Sequence, residues 1–422
     1  MTGHTVLFAL EALGLPDKPD SQKPMLPRLR TGVSVLKTYA GKSHSPQPEE
    51  LNRLVVNVVQ LSGSQSRENG PKPVIMAEDN PSGLPRPLIY VDQNILGAPL
   101  EALIQSEAFA AWRDTVVLVY SNETMNEIVR SEGLAPEFLG NLSKFVTARV
   151  FDELDDRLRP TGRFKIRVES PQQRYRVTLE EQLLASPDLQ GLGVLHKLFG
   201  GEADRSYADI SAAQVGEMQR AWKSELDQID LPAAFRELLD QLHDSIISVA
   251  SGALSSTAKT LATNLQPNGR QVTSVDFRRD LGLDMETLNS IKGDKVIERI
   301  WALIQSTNDT VRGWSFEAFC NVEGESPFTG KPYTIPDKVR SMMLILNLIG
   351  YQSDKKLSRS DKFISSQSDL GHAAYGSLCD AIVSNDIRFR KRLSAVYAYL
   401  YVPTRIFSVD ASNGFRLREE TE

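Results

Sequence analysis

Apolar residues along this chain follow two spacings, and their order predicts an architecture. PLIYVD (87–92) is a short apolar run ending in Asp92, and TVVLVY (115–120) is a β-branched run. Neither alternates with polar residues, so both read as strands buried on two faces. Residues 98–112 carry helical spacing. Ser121 is an N-cap candidate for a helix that continues through NETMNEIVRSEG to Gly133, and a further helix is expected over 135–155. The same grammar returns near the C-terminus. There DLGHAAYGSL predicts a small-residue helix opening at Asp369, DAIVS (380–384) a strand, NDIRFRKRLSAVYAYL a helix, and TRIFSVD (404–410) a last strand. Strand, helix, strand, helix, a long gap, then helix, strand, helix, strand describes one α/β unit. The expected fold is a three-layer, doubly wound, mostly parallel sheet interrupted by an insertion.

The gap, 156–350, is mainly helical in pattern, with apolar residues at three-to-four spacing over 208–228, 231–264, 293–306 and 338–351. One stretch differs. RFKIRVESPQQRYRVTLEE alternates, which predicts a β-hairpin near 163–179. Phe164, Ile166, Val168, Tyr175, Val177 and Leu179 would form its apolar face. Arg163, Lys165, Arg167, Arg174 and Arg176 would form its cationic face. The expected organisation is a peripheral, partly helical segment over 1–85, the first half of the α/β domain over 86–155, the insertion over 156–350, the second half over 351–412, and a polar tail over 413–422. No internal repeat is visible.

Composition narrows the class. The 422 residues carry a formal net charge of −6, which does not favour a general nucleic-acid coat. The two cysteines, Cys320 and Cys379, are far apart and form no CxxC pair. That points to a reducing, cytoplasmic compartment and away from structural zinc. The chain has no apolar run of about eighteen residues, so no membrane span is expected. The N-terminal apolar stretch contains Glu11 and has no preceding Lys or Arg, so it reads as a short amphipathic helix and not a signal peptide. No GxxxxGK[ST] motif supports nucleoside-triphosphate hydrolysis.

Four acids stand where such a sheet would present a ligand. Asp92 and Asp386 follow strands, Glu127 lies in the second turn of the helix opened by Ser121, and Asp369 opens a helix. Open α/β sheets bind ligands beyond the carboxyl ends of their strands. Clustered carboxylates repel unless a hard cation neutralises them, so Mg²⁺ or Mn²⁺ is the expected cofactor and phosphodiester hydrolysis the natural chemistry. Plainer roles exist for each residue. Asp92 could cap a turn, and Glu127 could be a solvated helix residue beside Glu123 at i,i+4. Asp369 and Asp386 could be helix caps, and Asp380 a structural acid before its strand. His372, one turn past Asp369, is a candidate base or a packed histidine supporting the site. Cys379 reads as buried and inert.

VDQN after a strand, SNETMNE after the next, and DLGHAAYGSLCDAIVSNDIRF near the C-terminus together resemble PIN-domain nucleases, over about 86–155 and 365–412. The resemblance implies that Asp92, Glu127, Asp369 and Asp386 bind Mg²⁺ or Mn²⁺ and cleave RNA or single-stranded DNA, RNA being the more usual substrate. Asn94 and Ser384 fall where small polar residues support such a site, with Glu123, His372 and Asp380 close by in sequence. Arg388, Arg390, Lys391 and Arg392 follow Asp386 and are candidates to hold substrate phosphates, as is the cationic face of the 163–179 hairpin. The chain between Glu127 and Asp369 is far longer than a usual PIN domain needs. The insertion would shape access to the site or recruit a regulatory protein partner, as suits a stress or defence effector. Two other readings stand beside this one. The first is a catalytically inactive scaffold of the same fold that binds nucleic acid or protein. The second is an aspartate-nucleophile phosphatase, which wants a second Asp where this chain has Asn94.

Overall fold

The structure is a computed structural model that describes residues 76–78, 86–105, 115–154, 160–182, 192–227, 233–265, 272–326, 330–410 and 416–420. Among the described residues eight strands form one sheet: β1 (Met76–Glu78), β2 (Leu88–Val91), β3 (Val117–Tyr120), β4 (Thr147–Leu154), β5 (Pro160–Val168), β6 (Ala381–Val383), β7 (Arg405–Asp410) and β8 (Arg416–Glu419). Their spatial order is β1-β5-β4-β3-β2-β6-β7-β8. The five central strands, β4 to β7 across β3, β2 and β6, are mutually parallel. β5 runs antiparallel to β4 with β1 parallel to it, and β8 runs antiparallel to β7. Chain order reverses direction between β2 and β6. That reversal is where two connections leave on opposite sides and open a crevice at the carboxyl edge.

Helices cover both faces. α1 (Ala98–Ile104), α2 (Asn122–Arg130), α3 (Ala135–Leu142) and α4 (Pro171–Gln182) make one layer, packed on Ile89, Val91, Leu118, Tyr120, Ala381 and Val383. The next two long helices, α6 (Tyr207–Asp227) and α7 (Ala233–Leu265), follow α5 (Leu192–Leu198) and pack mainly on each other, with Trp222 against His243 and Met218 beside Ile247. α8 (Ser274–Asp280), α9 (Met285–Ser290), α10 (Val296–Thr307), α11 (Phe316–Phe319), α12 (Ile335–Ile349), α13 (Ser360–Gly376) and α14 (Ile387–Tyr399) are the other α-helices among the described residues. Most of these build the larger core on the opposite face, over Tyr90, Val119, Ile382 and Ile406. Successive strand residues therefore serve two cores, which explains why the central strands are continuous apolar runs. Among the described residues, no helix is long and apolar enough to cross a membrane.

The α/β class and the mostly parallel, helix-covered sheet agree with the sequence reading. Several local expectations do not. The helix expected over 135–155 ends at Leu142, and TARVFDEL continues as β4. The partner of β5 is β4, so the hairpin precedes its predicted place near 163–179. After Val168 the chain turns into α4, because Ser170 accepts the Arg174 N–H with its carbonyl and Pro171 suits the first helical position. The alternating Tyr175, Val177 and Leu179 belong to that helix; Val177 and Leu179 are exposed. Asp369 does not open a helix, since α13 begins nine residues earlier at Ser360. The expected polar tail contributes β8 to the sheet edge. Of the N-terminal 85 residues only β1 is described, and the peripheral segment expected there otherwise lies outside the described residues, as does 106–112 of the helix expected over 98–112.

Candidate metal centre

The site assembles at the reversal point. Asp92 directly follows β2, and its backbone N–H donates to Val383 O of β6 at 3.1 Å. Its buried carboxylate is held by one oxygen. Oδ2 accepts from Asn94 Nδ2 and from Ser384 Oγ, each at 2.6 Å. Asn94 also accepts the Asn385 N–H at 2.9 Å, so the ends of β2 and β6 are stitched by side chains. The other oxygen, Oδ1, faces His372 Nε2 at 4.0 Å.

Ser121 directly follows β3 and caps α2, its hydroxyl accepting the Glu123 N–H at 3.1 Å. The cap sets the helix phase, and Glu127 then projects toward Asp92. His372, fully buried on α13, places Nε2 2.9 Å from Glu127 Oε2. Its Nδ1 lies 2.8 Å from the Tyr90 hydroxyl, which lies 2.7 Å from Ser121 Oγ. α2 and α13 approach this closely because residue 371 is glycine; a Cβ there would fall 2.3 Å from Glu123 Cγ. One ligand atom from each of Asp92, Glu127 and His372 lies within 4.8 Å of the others.

Asp369, one turn before His372, is beside this group. Its Oδ2 is 3.5 Å from Arg392 Nη2, and Arg392 also binds Asp354. Asp386 borders the site from the rim. Its N–H donates to Ser384 Oγ at 3.2 Å, and its Oδ1 accepts the Arg388 and Phe389 N–H groups as the N-cap of α14.

Charge in this crevice is costly. Burial pushes the Asp92 carboxyl up from its ordinary range, with Glu127 and Asp386 adding to the shift while His372 and the Ser384 hydroxyl oppose it. Burial raises Asp369 further, helped by Asp354, Asp92 and Glu127 and opposed by Arg392. Burial also works against an imidazolium at His372, yet its neighbours Tyr90, Glu127 and Asp92 carry the net shift well upward. Burial likewise raises the Tyr90 hydroxyl above its ordinary range, opposed by His372 and by hydrogen bonds from Ser121 and Thr124. The donor set of buried carboxylates and one imidazole fits a divalent cation, which would remove the repulsion that burial aggravates.

The remaining residues singled out from sequence lie elsewhere or are already engaged. Glu123 faces Gly371 and contributes to the field at Tyr375 and Arg340, one turn before Glu127. Asp380 is at the other end of β6, accepting the Leu88 N–H at 2.7 Å, so it does not support the site. Arg390 is buried on Glu420 and Ser384 O, and Arg392 on Asp354 and Gln352 O; neither is presented to a substrate. Arg388 donates to Ser353 O, and it and Lys391 are half-buried. Arg163 and Lys165 on β5 pair with Glu153, Arg167 is exposed, and β5 is separated from β2 by β3 and β4, about 14 Å at ordinary strand spacing. Arg174 is buried and Arg176 exposed on α4. The ribbon of cations expected at 163–179 is therefore split between a strand edge and a helix.

Two residues at the site were missed. Arg130, one turn past Glu127, is 3.7 Å from its carboxylate and donates to Ser368 Oγ at 2.7 Å; i,i+3 spacing from Glu127 was its signal. Asp354 lies in a loop with no pattern of its own, and only its pairing with Arg392 marks it.

Comparison with protein-family models, curated proteins and solved structures gave no match.

Proposed function

We propose that this protein is a metal-dependent nuclease of PIN-like type, acting on RNA or single-stranded nucleic acid. The observation that carries the reading is the convergence of Asp92, Glu127, Asp369 and His372 at the reversal point of a parallel sheet, with Asp386 on the rim. A buried group of like charges is tolerable chiefly as a cation site. Asp92 and Glu127 would hold the cation, with Asp369 beside them. A cation held there would supply acidified water and charge stabilisation at the phosphate oxygens. The protein's own groups do the rest. Asn94 and Ser384 fix the Asp92 rotamer. Arg392 keeps Asp369 in place. Arg130, beside Glu127, would meet a phosphate backbone that passes the site.

Asn94 also argues against an aspartate-nucleophile phosphatase. Its amide is committed to Asp92 and Ser384, which leaves no acid two residues on to protonate a leaving group. The test offers the protein, with Mn²⁺, either end-labelled single-stranded RNA or a small phosphomonoester. The reading requires cleavage of the polymer and no turnover of the monoester. Turnover of the monoester alone would reverse it.

A further inference from the structure

We infer that His372 is itself a metal ligand through Nε2, which makes the centre a mixed oxygen–nitrogen site that selects Mn²⁺ or another transition-metal ion over Mg²⁺. The inference rests on the metal-site reading above and goes beyond an all-carboxylate site.

Three observations converge. First, His372 Nε2 is 2.9 Å from Glu127 Oε2 and 4.0 Å from Asp92 Oδ1, on the side of Asp92 not used by Asn94 or Ser384. Second, the ring is fully buried, and its other nitrogen is anchored 2.8 Å from the Tyr90 hydroxyl. A ligating histidine commonly donates its second N–H to such an outer partner, which fixes the ring and the tautomer. Third, Tyr90 can accept that hydrogen. Its own hydroxyl can donate to Ser121 Oγ at 2.7 Å, a pattern that lets Nδ1 hold a proton while a cation replaces the proton at Nε2. The chain Ser121–Tyr90–His372 thus runs from the cap of α2 to the centre of the site, and it starts one residue before the helix that carries Glu127.

Donor chemistry supplies the selectivity. Mg²⁺ prefers oxygen donors and near-ideal octahedral geometry, whereas imidazole favours later divalent ions. A purely structural histidine, holding Glu127 by an ion pair, would give no such preference.

The test loads the full-length chain with Mn²⁺ and reads nitrogen coupling by pulsed electron paramagnetic resonance, without any turnover. The expected spectrum contains a directly bound nitrogen whose coupling changes isotope when the histidines are ¹⁵N-labelled. Histidine-to-glutamine substitution at position 372 (His372→Gln) should remove it. Tyr90→Phe keeps the ring but loses its anchor, and should weaken Mn²⁺ binding by about 10-fold while leaving Mg²⁺ binding closer to unchanged. Bound Mn²⁺ without nitrogen coupling would overturn the assignment while leaving the carboxylate site standing. Failure of the folded wild-type chain to bind Mn²⁺ would overturn both.

Discussion

Replacing Asp92 by asparagine should make the metal-free protein more stable and the metal-loaded protein less so. The side chain keeps its shape, and its carbonyl oxygen can still accept from Asn94 and Ser384. What is lost is a buried charge. A ligand oxygen of Glu127 lies within 4.8 Å of one on Asp92, and unit charges about 5 Å apart repel by roughly 3 kcal/mol at an effective dielectric of 20. Attraction to a protonated His372 at 4.0 Å is of similar size, about 4 kcal/mol. Burial and the field of Asp386 then tip the balance against the charge, in the direction of the raised pKa. A net gain of about 1 kcal/mol or more is expected for Asp92→Asn without metal, read as a rise in Tm of about 1 °C or more for a chain of 422 residues. The pH dependence has a definite sign. An acid raised above its unfolded value of 3.8, and a histidine raised above 6.5, both contribute stability at low pH that is lost as pH rises through their folded values. Metal-free wild type should therefore lose stability as pH rises above 3.8, where the unfolded aspartate titrates, and again above 6.5, where the unfolded histidine does, and Asp92→Asn should lose less. Mn²⁺ at a hundredfold excess over its Kd adds about 2.7 kcal/mol to wild type, so the order of the two proteins reverses. Thermal denaturation of both, with EDTA and with Mn²⁺ at two pH values, makes the comparison. If Asp92→Asn is destabilised in EDTA and Mn²⁺ shifts neither protein, Asp92 is a structural cap and the site argument fails.

Other substitutions separate structural from catalytic roles. Asp386→Ala should cost about 1 kcal/mol by uncapping α14, whereas Asp386→Asn retains the cap. Both should slow cleavage by about 10-fold or more, since Asp386 borders Asp92 through Ser384; equal rates for Asn and wild type would confine Asp386 to capping. Arg392→Met strands Asp354 and Asp369 and should destabilise the metal-free fold by about 3–5 kcal/mol in denaturant titrations, with partial recovery in Mn²⁺. No recovery would separate Asp369 from the metal. Tyr375→Phe removes a 3.1 Å bond to Asp152, a carboxyl that burial holds above its usual range; it should cost about 1–3 kcal/mol without changing the rate per folded molecule.

The strands that build the site were legible because each is buried on both faces, so a short apolar run was sufficient to mark it. Their ends then located Asp92 and Asp386 with no further information. Ser121 was legible as a cap, and the cap fixes where Glu127 points. The start of α13 was hidden because its first turns are rich in serine and carry an arginine, not a capping side chain, at the N-cap. The position of β5's partner was hidden by a helix and a strand that share alternating apolar residues across Pro171. His372 was weighed from sequence as a base or a packed residue. Its link to Tyr90 spans 282 positions, and no local pattern reports a contact of that separation. Basic residues misled for a different reason. Clustered charge in sequence says nothing about pairing, and Arg390 and Arg392 are consumed by Glu420 and Asp354.

The central claim is tested most directly by incubating end-labelled single-stranded RNA with wild type and with Asp92→Asn, in Mn²⁺ and in EDTA. The account predicts cutting by wild type in Mn²⁺ alone, abolished by EDTA and by the substitution, in protein that the thermal measurements show to be folded. Cutting that persists in EDTA or in folded Asp92→Asn would contradict it.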